Sequence, residues 1–205
     1  MPAASEIEPV SPGIFIWRFY DPSVKAELFS TGLATKGGTC LIDPIPLTPE
    51  AIDTLATQAG IKGIVVTNEN HERAAAQFSG KFEVPVFLHP ALLDTTKSFK
   101  ETALQDRRAF SPGLVAVEIE GGPVGEMAVH SETNGGSMII GDALINFDPF
   151  GFALLPSKYC SNAKLMRRSL SKLLDYPFER IFFAHGTPIL SRAHQRLEEL
   201  LKGHR

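Results

Sequence analysis

Side chains that bind metals or anions are concentrated in three short segments of this sequence. Residues 67–73 read TNENHER and bring Asn68, His71 and Arg73 close together, while Asp142 and His185 lie in the segments GDAL and AHGTP. Imidazole and carboxylate groups are common metal ligands, and a guanidinium binds carboxylates or phosphates through two parallel hydrogen bonds. No Ser or Cys lies in a recognisable nucleophile motif. The chemistry to consider is therefore metal-assisted or base-assisted hydrolysis, or binding of a small anion.

The elements that must position these groups are short strands and helices in alternation. Antiparallel strands are predicted from β-branched and aromatic runs at residues 14–19, 26–34 and 39–42, and a helix from Thr48 to Gly60. The apolar run at residues 61–67 is typical of a strand buried on both faces, and a helix should follow from residue 72. Further strands are predicted at residues 84–88, 114–119, 127–131, 137–140 and 181–184, and further helices at residues 162–174 and 191–201. This order indicates two αβ halves whose sheets stack face to face.

Composition limits the classes of partner and compartment. The 205 residues are 43% hydrophobic and 21% charged, which is ordinary globular usage and enough to bury a sizeable core. A net charge of −3 with mixed signs argues against nucleic-acid binding, and no apolar run is long enough to cross a membrane. The N-terminus lacks the pattern of a signal peptide, so we expect a cytoplasmic protein. A homodimer is left open.

Four segments, in one order, carry a resemblance to a known family. CLIDP at residues 40–44 looks like a strand end that opens these proteins, and IVVT at residues 64–67 looks like the strand that delivers the metal motif H-x-H-x-D-H. The segment around Asp142 and the segment around His185 are similar to those that supply a bridging aspartate and a closing histidine. Together they resemble the metallo-β-lactamase superfamily. The resemblance implies a four-layer αββα sandwich formed by residues 1–205 as a single domain, and a metal-dependent hydrolase.

The metal motif of this sequence departs from that family pattern. Aligned behind Thr67, asparagines Asn68 and Asn70 replace both histidines of the H-x-H pair, Glu72 replaces the aspartate, and Arg73 replaces the last histidine. A further family histidine falls on glycine, at Gly122. Neutral amides are poor zinc ligands, and a guanidinium about 4 Å from an ion repels it by about 4 kcal/mol per unit charge at an effective dielectric near 20. Ordinary di-zinc hydrolysis is therefore not expected, and no metal is expected by default.

A further resemblance concerns the whole substituted segment. T-N-x-x-H-x-R in place of the metal motif is similar to a branch of this superfamily, and this similarity implies no particular activity.

Three interpretations of the surviving polar cluster remain open. In the first, Arg73 replaces the metals by pairing with Asp142 or Glu72, with His71 and His185 as members of a polar network, and the protein is a pseudoenzyme. In the second, Arg73, His71, Asn68 and Asn70 bind the carboxylate or phosphate of a small ligand. In the third, hydrolysis is retained, through one zinc, manganese or iron ion held by His71, Glu72, Asp142 and His185, or through a histidine base without metal. The catalytic candidates are His71, Arg73, Asp142 and His185, and the ligand-binding candidates are Asn68, Asn70 and Glu72.

One apolar segment lies close to these residues. Residues 147–152 read FDPFGF, which is unusually apolar for a loop, and they follow Asp142. The segment is expected either to wall the pocket or to form a partner surface.

Overall fold

Strands of the protein form two large sheets and one small hairpin in the computed structural model, which describes residues 3–58, 60–94, 96–97 and 99–203. The first sheet has seven strands, in the spatial order β1 (Glu8–Ser11), β2 (Ile14–Asp21), β3 (Ala26–Thr35), β4 (Gly38–Ile42), β5 (Ile61–Val65), β6 (Val86–Leu88) and β7 (Glu101–Ala103). The second sheet contains β8 (Arg108–Ser111), β9 (Leu114–Glu118), β10 (Met127–Ser131), β11 (Ser137–Ile140) and β14 (Arg180–Phe183), in the order β14-β11-β10-β9-β8. The hairpin pairs β12 (Leu144–Phe147) with β13 (Gly151–Leu154).

Helices cover the outer face of each sheet, which gives four layers. Helices α1 (Pro49–Gln58) and α2 (Ala75–Phe82) share one apolar cluster with the first sheet, and α3 (Ala163–Leu170) and α4 (Ala193–Gly203) share another with the second sheet. A third cluster contains residues of both sheets and fills the space between them. The three apolar interfaces separate four layers, as the predicted αββα sandwich requires. None of the helices in the described part of the chain is long and apolar enough to cross a membrane.

The alternation of side chains along a strand explains why one sheet serves two interfaces. Successive residues of a strand point to opposite faces. In β4, Leu41 packs in the helix-facing cluster, whereas Cys40 and Ile42 pack between the sheets. In β2, Trp17 and Ile16 divide in the same way. The first sheet is thus buried on both faces along its central strands, which is why β4 and β5 end in apolar runs at residues 40–42 and 63–65.

The ends of four strands bring the polar segments together. Strand β4 pairs in parallel with β5, and β11 pairs in parallel with β14, so each pair ends at one edge of its sheet. Asp43 follows β4, the 67–73 segment follows β5, Asp142 follows β11 and His185 follows β14. A main-chain hydrogen bond of 3.0 Å from Phe29 N to Ala184 O joins the two sheets near this edge. The topology therefore places the three polar segments, around residues 67–73, Asp142 and His185, at the same edge of the stacked sheets.

Several predicted elements are confirmed and others differ. Strands β10 and β11 have the predicted bounds, and Asn162 caps α3 by accepting a hydrogen bond from Leu165 N. Helix α2 begins at Ala75, because residues 68–73 are held in a loop that carries polar side chains into the site. The segment 147–152, expected as a loop, is the end of β12, a turn and the start of β13.

Candidate functional site

The buried carboxylate of Asp43 holds the His71 ring at the centre of the site. Its Nδ1 lies 3.0 Å from Asp43 Oδ2 and 2.9 Å from Thr67 Oγ1. Thr67 itself donates to the same carboxylate, from its hydroxyl to Oδ2 (2.6 Å) and from its main-chain N to Oδ1 (2.9 Å). Asp43 and His71 are each 2% exposed. Since an ionised carboxylate only accepts hydrogen bonds, Asp43 favours the proton on Nδ1 and leaves Nε2 to face the opposite side.

Two imidazoles meet at one oxygen of Asp142. His71 Nε2 and His185 Nε2 each lie 3.3 Å from Asp142 Oδ1, and the ring centroids of the histidines are 5.5 Å apart. One ligand atom from each of the three residues lies within 4.8 Å of the other two. His71 Nε2 is buried and has no hydrogen-bond partner among the described residues. Two imidazole nitrogens and a carboxylate oxygen at these distances could hold one cation.

The asparagines of the motif contact the other oxygen of Asp142. Asn68 Nδ2 donates to Asp142 Oδ2 at 3.1 Å and to Glu126 Oε2 at 2.6 Å. Asn70 Nδ2 lies 3.5 Å from the same Asp142 oxygen, a long contact, and its main-chain N donates to Asn68 Oδ1. Both residues therefore orient Asp142 with amide N–H groups. This is a different task from that of the histidines they replace.

Glu126 belongs to the site and was missed by the sequence analysis. It is 1% exposed, directly precedes β10, and its Oε1 accepts a hydrogen bond of 3.0 Å from Ala143 N. Burial and the Asp142 charge raise the pKa of Glu126 to about 8, against the hydrogen bonds from Ala143 and Asn68. The available signal was a single carboxylate at the start of an apolar strand, in a chain that elsewhere keeps most of its acids at the surface. Asp43 appears in the sequence analysis only as part of CLIDP at residues 40–44, and its place in the site was not predicted.

Charge interactions within the cluster compete with burial. Burial and the Arg73 charge disfavour the protonated form of His71, but Asp43 and Asp142 outweigh them and raise its pKa to about 9. Burial would raise the pKa of Asp142, but the neighbouring imidazoles His71 and His185 hold it well below its usual range. Without a metal, the site therefore carries an imidazolium between two aspartates.

Arg73 does not occupy the place that the sequence predicted. Its Nη1 donates to the main-chain oxygens of Phe29 (2.8 Å) and Asp43 (3.1 Å), and its Nη2 is buried with no hydrogen-bond partner among the described residues. The ion pair expected with Asp142 or Glu72 does not form among the described residues, and Glu72 turns away, with its Oε2 2.5 Å from Lys97 Nζ. Glu72 is not among the described residues whose donor atoms converge in this arrangement of the loop.

The backbone conformation of two loops directs the side chains of Glu72 and Arg73. Arg73 adopts a left-handed conformation with φ of 43°, and Asp43 does the same with φ of 49°. Such a conformation costs a non-glycine residue roughly 1–2 kcal/mol. It is held here by a hydrogen bond of 2.9 Å from Ala74 N to Pro44 O, which joins the two loops. Residue-by-residue alignment with the family motif could not foresee which way Glu72 and Arg73 would point.

A cleft opens from this cluster to the surface. Its volume is about 640 Å³, and His71, Asp142 and His185 lie at its base. The walls are largely apolar and include Phe147 and Phe150, so one of the two roles expected for the Phe-rich segment is confirmed. The cleft is large enough for a small-molecule substrate.

Comparisons with known proteins identify the family. The sequence profile described as the metallo-β-lactamase superfamily matches residues 9–203. The chain belongs to the metallo-β-lactamase superfamily. The fold agrees with that of the DIM-1 metallo-β-lactamase, at 15% identity and a TM-score of 0.75, with 100% of this chain and 99% of that chain covered.

Two further solved structures extend the comparison. A metallo-β-lactamase family protein from Thermus thermophilus is 21% identical, with a TM-score of 0.66 over 96% of this chain and 80% of that one. An archaeal superfamily protein from Sulfolobus tokodaii is 13% identical, with a TM-score of 0.66 over 86% of this chain and 79% of that one. No curated protein matches the chain. At these identities the comparisons establish the fold.

Proteins of the metallo-β-lactamase superfamily are usually metal-dependent, and the residues present fit one ion. Two imidazoles and a carboxylate converge, and His71 Nε2 is unsatisfied where a ligand atom would bind. Three protein ligands with an open position are typical of catalytic zinc sites. The positions of the family's H-x-H pair carry amides that hydrogen-bond to Asp142, and these do not fit a second ion.

Proposed function

We propose that this protein is a metal-dependent hydrolase with a mononuclear centre formed by His71, Asp142 and His185. The observation that carries the proposal is the convergence of these three donors, within 4.8 Å of one another, at the base of an open cleft. A group of two histidines and one carboxylate suits zinc, manganese or iron(II). His71 stands at a spacer position of the family motif, so this centre is a rearranged site rather than a remnant of the usual pair.

The protein side chains around the centre support this assignment. A ligating histidine usually donates its other ring N–H to a carboxylate, which fixes its orientation and raises its basicity. Asp43 stands in that relation to His71, at 3.0 Å from Nδ1. Asn68 donates to the Asp142 oxygen that does not face the two imidazoles, which orients that carboxylate as well.

Hydrolysis at this centre needs an activated water and a bound substrate. When present, the ion supplies activation by lowering the pKa of a bound water. The chain supplies orientation of the ligands and a cleft that holds the substrate beside them. Glu126, kept neutral near pH 7 by burial and by Asp142, leaves Asp142 as the anionic oxygen donor of the group.

A metal-free pseudoenzyme or small-ligand binder is the second candidate, and one observation favours it. The raised pKa of His71 places an imidazolium between Asp43 and Asp142 at neutral pH, where it supplies the positive charge that a metal would otherwise bring. Binding of a small anion by the Arg73 guanidinium has less support. Arg73 Nη1 already donates to two main-chain oxygens.

Elemental analysis of the protein distinguishes the two candidates. Tag-free protein is purified without chelator, dialysed against zinc, manganese or iron(II) and then against metal-free buffer. We expect about one retained equivalent in the wild type and His194→Ala, and loss in His71→Ala, Asp142→Ala and His185→Ala. His194 is a suitable control because it hydrogen-bonds to Leu174 O, away from the site. Retention of no metal by a folded wild type, or of two equivalents, would contradict a mononuclear centre.

A further inference from the structure

Exposed apolar side chains gather at the cleft that holds the proposed centre. Val24, Phe150 and Tyr159 are 59%, 57% and 59% exposed, and all three line this cleft. Large apolar groups exposed together mark a binding surface. The rest of the molecule offers a contrast in Leu190, which is 49% exposed but lies outside the cleft.

Apolar side chains line one side of the cleft, here called the wall, and also the part of the cleft nearest the proposed ligands. Phe147 meets Phe150 edge to face, with ring centroids 5.7 Å apart, and a hydrogen bond from Phe150 N to Phe147 O closes the turn between them. Leu28 and Ile145, 9% and 3% exposed, form an apolar floor beside His71 and Asp142. A chain of carbon atoms lying along the wall would therefore contact apolar side chains from the base of the cleft to its rim.

Main-chain hydrogen bonds fix this wall relative to the proposed ligands. Strand β12 begins two residues after Asp142, and Asn146 N donates to His185 O at 3.2 Å. Thr187 N donates to Asn146 O at 3.0 Å, and Asn146 Nδ2 donates to Thr187 O at 2.7 Å. These hydrogen bonds join the hairpin that carries the two phenylalanines to the loop that carries His185, and so hold the wall beside the proposed centre.

Two cations also line the cleft. Arg73 Nη1 donates to main-chain oxygens while its Nη2 has no hydrogen-bond partner among the described residues, and Lys158 Nζ lies 4.6 Å from the centroid of the Tyr159 ring. Phe147, Phe150 and Tyr159 present carbon to the cleft, so this part of the lining suits an apolar group.

We propose that the substrates are carboxylic esters that carry an apolar group, bound along Phe147, Phe150 and Tyr159. This inference rests on the proposed hydrolase function. In the reaction, the oxygen of water bonds to the carbonyl carbon, the bond from that carbon to the ester oxygen breaks, and a proton from water passes to the leaving alkoxide. The products are the acid and the alcohol, and no redox partner is needed.

Ester hydrolysis by the full-length, zinc-loaded protein tests the inference. Ethyl acetate, ethyl hexanoate and hexyl acetate are compared, with acid release followed at constant pH. Since a half-buried methylene improves binding about twofold, four of them should lower KM about 10-fold or more for at least one of the two longer esters. Phe150→Ser should raise that KM about fivefold and raise the KM for ethyl acetate by a smaller factor. Leu190→Ser should alter neither.

Binding of hexanoate and acetate, measured by calorimetry on zinc-loaded and metal-free protein, separates this inference from the hydrolase proposal. A hexanoate preference of about 10-fold that Phe150→Ser abolishes supports the apolar wall even if no ester is hydrolysed, in which case the hydrolase proposal alone fails. Hydrolysis with equal KM for all three esters, together with equal binding of hexanoate and acetate, would overturn the inference while leaving the hydrolase proposal standing.

Discussion

Asp43 holds the His71 imidazole by its Nδ1 atom, at 3.0 Å, so that Nε2 faces Asp142 on the other side of the ring. The two residues come from different loops, one after β4 and one after β5, and both are almost completely buried. The pairing therefore does not depend on solvent and determines which nitrogen of His71 is free to bind an ion. It links the strand order of the first sheet directly to the chemistry of the site.

Asp43→Asn tests this relationship. The amide can still accept the hydrogen bond from Thr67 N, but it no longer offers a charged acceptor to His71 Nδ1, so the ring loses its fixed proton position. Loss of such an outer partner typically weakens metal binding about 10-fold to 100-fold. Zinc affinity measured by competition with a chromogenic chelator should fall by that amount. Unchanged affinity in a folded variant would show that Asp43 does not orient the ligand.

Zinc binding should release a proton from His71. Because the pKa of His71 is raised to about 9, the metal-free protein carries the imidazolium at pH 7, and the ion can bind only after the proton leaves. Calorimetric titration in buffers of different ionisation enthalpy should detect about one released proton at pH 7. Apparent affinity should increase with pH until about pH 9. Binding that releases no proton would indicate that His71 is already neutral or is not a ligand.

The sequence predicted the scaffold better than the directions of the loop side chains. Period-two alternation and apolar runs identified the central strands, and the two segments with the least altered motifs correctly predicted that Asp142 and His185 meet. Residues 68–73 follow no regular period, and their side chains are directed by a left-handed Arg73 and by the hydrogen bond from Ala74 N to Pro44 O. Such long-range constraints leave no local pattern.

The roles of single polar residues were also beyond sequence reasoning. Glu126 lies 58 positions from Asn68, and only the packing of β10 against the loop after β5 brings the two side chains to 2.6 Å. The position of Glu126 at the start of an apolar strand hints at burial but does not identify its partners. Its burial is a consequence of the sandwich as a whole.

Glu126 should make the stability of the metal-free protein depend on pH. Its pKa is raised from 4.5 to about 8, so between these values the folded protein binds a proton that the unfolded chain has released. The sign of the linkage is therefore a loss of stability as pH rises from about 4.5 to about 8, on the order of 1 kcal/mol per pH unit while this group titrates. Glu126→Gln, which resembles the neutral acid, should remove the contribution of Glu126 to this slope, while the raised pKa of His71 keeps a slope of the same sign above about pH 6.5.

Urea denaturation of chelator-treated protein at a series of pH values measures this effect. Glu120→Gln is the matched control, because Glu120 is at the surface and pairs with Lys172. The control should follow the wild-type curve. If Glu126→Gln follows it too, Glu126 is ionised in the folded protein at neutral pH.

Arg73 should contribute to stability through main-chain oxygens rather than through an ion pair. Arg73→Ala removes the donor from Phe29 O, whereas Asp43 O keeps the hydrogen bond from Ser30 Oγ, and one unsatisfied buried group costs about 1–3 kcal/mol. Arg73→Lys keeps the charge but lacks the fork, so it should recover only part of the loss. Free energies of unfolding from urea titration check both values. Full recovery in the lysine variant would mean that charge, not hydrogen bonding, is what the site requires.

Gly186→Ala should separate the His185 loop from the β12–β13 hairpin. Gly186 has φ of +111°, and an added Cβ would lie 2.2 Å from Asn146 O. Backbone strain and the clash together should reduce the free energy of unfolding by about 2–5 kcal/mol. Gly80→Ala is the control, because nothing lies within 4 Å of its added Cβ inside α2, and it should stabilise the protein by about 0.5–1 kcal/mol.

Any folded Gly186→Ala protein should also bind zinc more weakly, since His185 is displaced with its loop. Wild-type stability and zinc affinity in this variant would show that the hairpin and the histidine loop are not coupled.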